Sequence, residues 1–177
     1  MIYAMTEPAL FTLVSAKRRE QTRSNGYARA CGMHYWKWLT ERKPPQWKAK
    51  VQKEMYEYRR SDFARCSSGA RWNKIKATKY FGCRYFALNL HSWIYRGTVE
   101  LRLPAGTTMA SKIIRWGTIW ASLVDYAAQH SESQIMALLG DHTDPSFLSG
   151  EESYSILQRV TPSNVHAWMS AQRRANA

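Results

Sequence analysis

The sequence predicts an α+β fold, a small antiparallel sheet packed against helices. Residues 98–103 alternate, with Val99, Leu101 and Leu103 on one face and Thr98, Glu100 and Arg102 on the other. That is the period of a strand with one buried face. Residues 111–129 repeat instead at three- and four-residue steps, and Ile113, Trp116, Ile119 (or Trp120), Leu123, Val124 and Ala127 form a broad apolar face, as a packed helix requires. Ahead of both, residues 84–91 alternate weakly, and a short turn containing Gly97 follows. The two alternating runs are expected to pair as a hairpin, with strands near 84–91 and 97–103.

Taken in order, residues 8–14 (PALFTLV) read as a short buried helical turn or strand. The basic cluster Lys17-Arg18-Arg19 follows, then a polar stretch that Gly26 and Gly32 mark as a loop. An aromatic and basic segment, residues 33–43, ends at Pro44-Pro45. From Gln46 to about Ala64, Trp47, Val51, Met55 (or Glu54) and Tyr58 recur at helical spacing with lysines and arginines between them. After the hairpin, Ser111 is the expected N-cap of the long helix. Residues 131–140 read as a short helix stopped by Gly140, residues 141–147 as a loop, and two short helices are expected near 150–160 and 162–174. The chain, 1–177, is read as one domain. Its parts are a basic portion, 1–83, the strands and helix of 84–129, and a helical tail, 130–177.

Composition bounds the function. The chain carries a formal charge of +13, and the excess is uneven. Residues 34–84 hold fourteen Lys and Arg against four acids, whereas residues 100–177 hold six against seven. A basic region of this kind favours nucleic acid or another polyanion as partner, and a solvated basic helix face is the equal alternative. No stretch approaches the roughly 18 unbroken apolar residues of a membrane span. No export signal is read at the start, and Cys31, Cys66 and Cys83 lack metal-ligand spacing. Free thiols in a reducing, cytoplasmic setting are therefore expected, each a small buried hydrophobe rather than a nucleophile.

The chemistry concentrates in the strand Thr-Val-Glu-Leu-Arg-Leu. Glu100 and Arg102 lie two apart, so they share a face at roughly 6.5–7 Å. A carboxylate there can meet a hard cation and a guanidinium can grip phosphate oxygens. An ordinary surface ion pair fits the bare spacing as well.

The surrounding residues narrow the choice. Arg84-Tyr85, Leu88-Asn89-Leu90, the run Gly97 to Arg102, Gly106-Thr107 and Trp116 in the following helix together resemble the C-terminal core of the amidoligase family, carboxylate–amine ligases with a glutamine synthetase-like fold. The upstream segment ending in Ser15-x-x-Arg18-Arg19 looks similar too, and Tyr27 and Cys31 fall near a family Tyr-Cys pair at wider spacing. The resemblance implies that Glu100 is a metal ligand, that Arg84 and Arg102 bind phosphate, that Asn89 lines the site, and that Arg18 and Arg19 add basic contacts. It also implies ATP and Mg²⁺, used to activate a carboxylate as an acyl phosphate for capture by an amine. It assigns no catalytic residue beyond these. Family enzymes draw further metal carboxylates from a G-x-E-x-E strand and a later D-x-S…E segment. Before Glu100 this chain offers Glu7, Glu20, Glu41, Glu54, Glu57 and Asp62, none so placed. The expectation is thus the C-terminal half of such a ligase, or a non-catalytic basic binding protein derived from it. A second chain is expected to complete the fold where the ligase reading holds.

Overall fold

In the computed structural model of the chain, the structure describes residues 1–17, 19, 30–33, 36, 86–89 and 98–177. The aromatic and basic segments expected between 37 and 85, including the helix at 46–64, lie outside the described residues. Within them the fold is mostly helical with one two-stranded antiparallel sheet.

Helix α1 (Ile2–Thr12) is buried on nearly every side. It is longer than the turn expected at 8–14 and contains Pro8 in its interior. An interior proline normally breaks the ladder, because it lacks an N–H and its ring crowds the preceding turn. Here the damage is repaired from outside. The Ala9 N–H, which an unbroken helix would direct to the Met5 carbonyl, donates instead to Ser153 Oγ at 3.1 Å, and Ser153 Oγ donates onward to that Met5 carbonyl at 2.7 Å. The hydroxyl is spliced into the broken rung, so both backbone groups are satisfied in a dry interior.

Ser153 belongs to α4 (Gly150–Val160), the main packing partner of α1. This helix starts with a reciprocal cap: the Glu152 N–H donates to Ser149 Oγ and the Ser149 N–H to Glu152 Oε2. The long helix α2 runs Ala110–Gln129 and buries Trp116, Ile119, Trp120 and Leu123 against the core. Its N-cap is Met109, with no side-chain cap, so Ser111 lies inside the first turn rather than at the cap. Thr107 takes the nearer role, its Oγ1 accepting the Met109 N–H at 3.2 Å.

Helix α3 (Glu132–Met136) opens on a Ser131–Gln134 capping box and tightens into a 3₁₀ turn, Ala137–Leu139. Gly140 then takes φ +59°, a conformation that side chains resist, which is why the chain stops there. The 141–147 loop holds a 3₁₀ turn, Pro145–Phe147, capped by Asp144. A further turn, Ser163–Val165, leads into α5 (His166–Ala175).

The sheet pairs β1 (Leu88–Asn89) with β2 (Glu100–Leu101), Leu88 opposite Leu101 and Asn89 opposite Glu100. The Arg102 N–H to the Ala87 carbonyl, 2.8 Å, carries the ladder one step further. One core unites α1, α2, α4 and α5 through fully enclosed Met5, Leu10, Ile119, Leu157 and Met169, with Leu103 from the strand that follows β2. An aromatic run crosses it: Tyr3 stacks on Trp120, Trp120 on Trp116, and Trp168 meets Trp116 edge-on at 5.8 Å.

Candidate functional site

The sheet register decides which side chains meet. Side chains alternate across a strand, and opposed residues share a face. Leu88 and Leu101, with Val99, therefore look onto α1 and α2 and line an apolar groove of about 600 Å³. Asn89, Glu100 and Arg102 take the other face, which the two-residue spacing predicts for Glu100 and Arg102 and the sheet register decides for Asn89. There Asn89 Nδ2 donates to Glu100 Oε2 at 2.8 Å, while Arg102 Nη2 lies 2.8 Å from Oε1 and 2.9 Å from Oε2 of the same carboxylate.

This face is more enclosed than an ordinary solvated ion pair. Asn89 is wholly buried, and the Arg102 side chain keeps 15% of its exposure against 40% for Glu100. Half-exposed ion pairs contribute only about 0–1 kcal/mol, so stability alone is a weak reason for the arrangement. What it provides is a fixed carboxylate that solvent, and hence a ligand, can reach.

Of the other expected site residues, Arg84 and Arg18 lie outside the described residues. The Arg19 guanidinium donates to the Asn176 carbonyl at the end of α5. Asn176 also lines a small cavity of about 150 Å³ with Gly106, Thr107, Ser15 and Lys112. Arg19 is thus placed at the C-terminal helix.

A second polar centre, missed in the sequence, sits behind the hairpin. Glu7, counted above only as an acid without a strand partner, is buried inside α1. Its Oε1 accepts the Cys31 N–H at 2.8 Å and its Oε2 the Gly32 N–H at 2.7 Å. Burial raises its pKa above the usual carboxylate range, and the two N–H groups offset part of that rise. Tyr3 and the Cys31 thiol adjoin it, and both are pushed well up, chiefly by burial and then by the Glu7 charge. Cys31 is therefore a protonated thiol, directed at the Leu88 carbonyl at 3.8 Å, and not a nucleophile. The available signal was an acid set in the otherwise apolar opening MIYAMTEPALFTLV.

Among the described residues no group of three or more His, Cys, Asp or Glu side chains could hold a metal ion, and no helix is long and apolar enough to cross a membrane. Magnesium bound with a nucleotide needs several oxygen donors. The hairpin face supplies one carboxylate, already engaged by an amide and a guanidinium, so these residues do not by themselves fit a Mg–ATP centre.

Fold and face together define an α+β domain whose sheet presents a part-exposed carboxylate held by a guanidinium and a buried amide. The family model described as "Putative amidoligase enzyme" matches residues 1–124, a span that includes α1, the hairpin and most of α2. The chain belongs to this amidoligase family. No curated protein and no solved structure matches it.

Proposed function

We propose that this chain forms the nucleotide-facing part of an ATP-dependent carboxylate–amine ligase, corresponding to the C-terminal half of a glutamine synthetase-like domain. The observation that carries the reading is the joined Glu100–Arg102–Asn89 face within a chain of the amidoligase family. In this role Arg102 neutralises phosphate charge with its planar fork, Glu100 orients that fork and offers one oxygen toward a cation, and Asn89 holds Glu100 in place. Because no G-x-E-x-E strand or D-x-S…E segment precedes Glu100 in this sequence, a second chain completes the site in this proposal. A cytoplasmic setting, where thiols stay reduced, is part of this proposal.

Calorimetric titration with ATP, with and without Mg²⁺, tests the proposal alongside an ADP-release assay with mixed carboxylates and amines. The isolated chain should bind nucleotide modestly and independently of Mg²⁺, lose that binding in Arg102→Ala, and release no ADP. Absent nucleotide binding, or binding unchanged in Arg102→Ala, would overturn the phosphate role. Turnover by the chain alone, abolished by Glu100→Ala, would overturn the need for a second chain.

The charge of +13 favours a second reading, contact with nucleic acid or another polyanion through the basic region 34–84. Such binding should weaken steeply as salt rises. No binding to single-stranded or duplex DNA at low salt would remove it.

A further inference from the structure

Glu7 is an unfavourable residue to bury. Its carboxyl group lies inside the core beside α1, and burying an acid costs free energy that hydrogen bonds only offset. Stability alone is therefore a weak reason for it. What two oxygens on one planar group do supply is position. Oε1 and Oε2 accept from the Cys31 and Gly32 N–H groups at 2.8 and 2.7 Å, so two consecutive peptide units are held in one orientation. The fit is tight as well. A Cβ on residue 32 would lie 2.8 Å from Ala4 Cα, so only glycine lets the backbone come this close to α1.

From that clamp a path of contacts runs to the polar face of the sheet. Cys31, itself buried, directs its thiol at the Leu88 carbonyl at 3.8 Å. A thiol is a weak donor, but this one sits on a clamped backbone, so its bulk and its S–H both bear on where that carbonyl lies. Leu88 belongs to β1, and the next residue is Asn89, whose Nδ2 donates to Glu100 Oε2 at 2.8 Å. One residue earlier, the Ala87 carbonyl accepts the Arg102 N–H at 2.8 Å. Among the described residues the sheet is two strands of two residues each, and so short a ladder does not fix its own place on a core. On the apolar side Leu88 and Leu101 are only half-buried and line the groove, so packing there seats the strands loosely.

We infer that Glu7 is a positioning residue for the Glu100–Arg102–Asn89 face, acting through the Cys31-Gly32 backbone and the Cys31 side chain on the Leu88 carbonyl of β1. It touches no ligand itself. The inference rests on the nucleotide-facing reading of that face, and it adds a buried acid of α1 to the residues that govern phosphate binding. When the clamp loosens, β1 shifts, Asn89 holds Glu100 less firmly, and Glu100 orients the Arg102 fork less well.

Two measurements on the full chain test it. The first is the Asn89 side-chain amide signal in nuclear magnetic resonance, which reads the bond to Glu100 without any ligand. Glu7→Gln turns one of the two acceptors into a donor, and Cys31→Ala keeps the clamp but removes the thiol. In both, the signal should shift and its exchange with water should quicken. Ser153→Ala weakens α1 without touching the path, so it should leave the signal in place. The second is ATP affinity by calorimetry, which should weaken roughly 3- to 30-fold in Glu7→Gln and Cys31→Ala, the usual span for residues that act through others. In Ser153→Ala it should be unchanged. Should Glu7→Gln fail to fold, Cys31→Ala decides both measurements. An Asn89 signal unmoved in Cys31→Ala, or moved equally by Ser153→Ala, overturns the inference, as does a moved signal with unaltered ATP affinity. A wild-type chain that binds no ATP overturns the nucleotide reading on which the inference rests, and the Asn89 signal then still decides whether the path from Glu7 exists.

Discussion

Replacing Ser153 by alanine should destabilise the fold far more than loss of one hydroxyl suggests. Ser153 is fully enclosed, and its Oγ both accepts from the Ala9 N–H and donates to the Met5 carbonyl. Its removal strands two backbone groups in the core, and each stranded group costs about 1–3 kcal/mol. Partial closure of the rung recovers some of this, so a loss of about 2–3 kcal/mol is expected, a fall in Tm of roughly 5–10 °C at this chain length. Pro8 is the reason the serine is needed. In Pro8→Ala the N–H at position 8 returns and the ring no longer crowds the preceding turn, so the Ala9 N–H can bond Met5 directly. Ser153→Ala in that background should cost at most about 1 kcal/mol, a coupling of about 1–2 kcal/mol. Urea and thermal unfolding of the four chains, followed by circular dichroism, measure the cycle. Equal costs of Ser153→Ala in both backgrounds, or a loss below about 0.5 kcal/mol in the native one, would refute the splice.

Three further outcomes follow from the buried and capping acids. Gly32→Ala should destabilise by about 1–3 kcal/mol, because its Cβ would lie 2.8 Å from Ala4 Cα and 2.8 Å from Glu7 Oε2; an unshifted denaturation midpoint would show that α1 yields easily. Glu7 has a raised pKa, so the unfolded chain releases this proton more readily than the folded one. Stability should therefore decline as pH rises from the ordinary carboxylate value through the raised one, and Glu7→Gln should flatten that slope in urea midpoints taken across pH. Glu152 has the opposite sign: hydrogen bonds from His142 and then Ser149 lower its pKa from 4.5 to about 2. Its contribution should be present above pH 4.5 and disappear as pH falls toward 2, and Glu152→Gln should remove that acid-side loss.

Local pattern carried the hairpin, the long helix and the helical tail. Strand and helix periods are set by the backbone, so Glu100 and Arg102 shared a face before any packing was known, whereas the pairing of Asn89 with Glu100 was decided by the register of the sheet. The stop at Gly140 was equally legible, because only the backbone at that residue decides it. What tertiary structure decided is the start of the chain. Pro8 argued for a short turn at residues 8–14, yet α1 runs from Ile2 to Thr12 because a hydroxyl 144 residues away mends its broken rung. Glu7 looked like an unremarkable acid until the Cys31 and Gly32 N–H groups, distant in sequence, closed around it. In both cases the partner of a buried polar group comes from elsewhere in the chain. A dry core demands that such a partner exist, but no local pattern says which residue it will be.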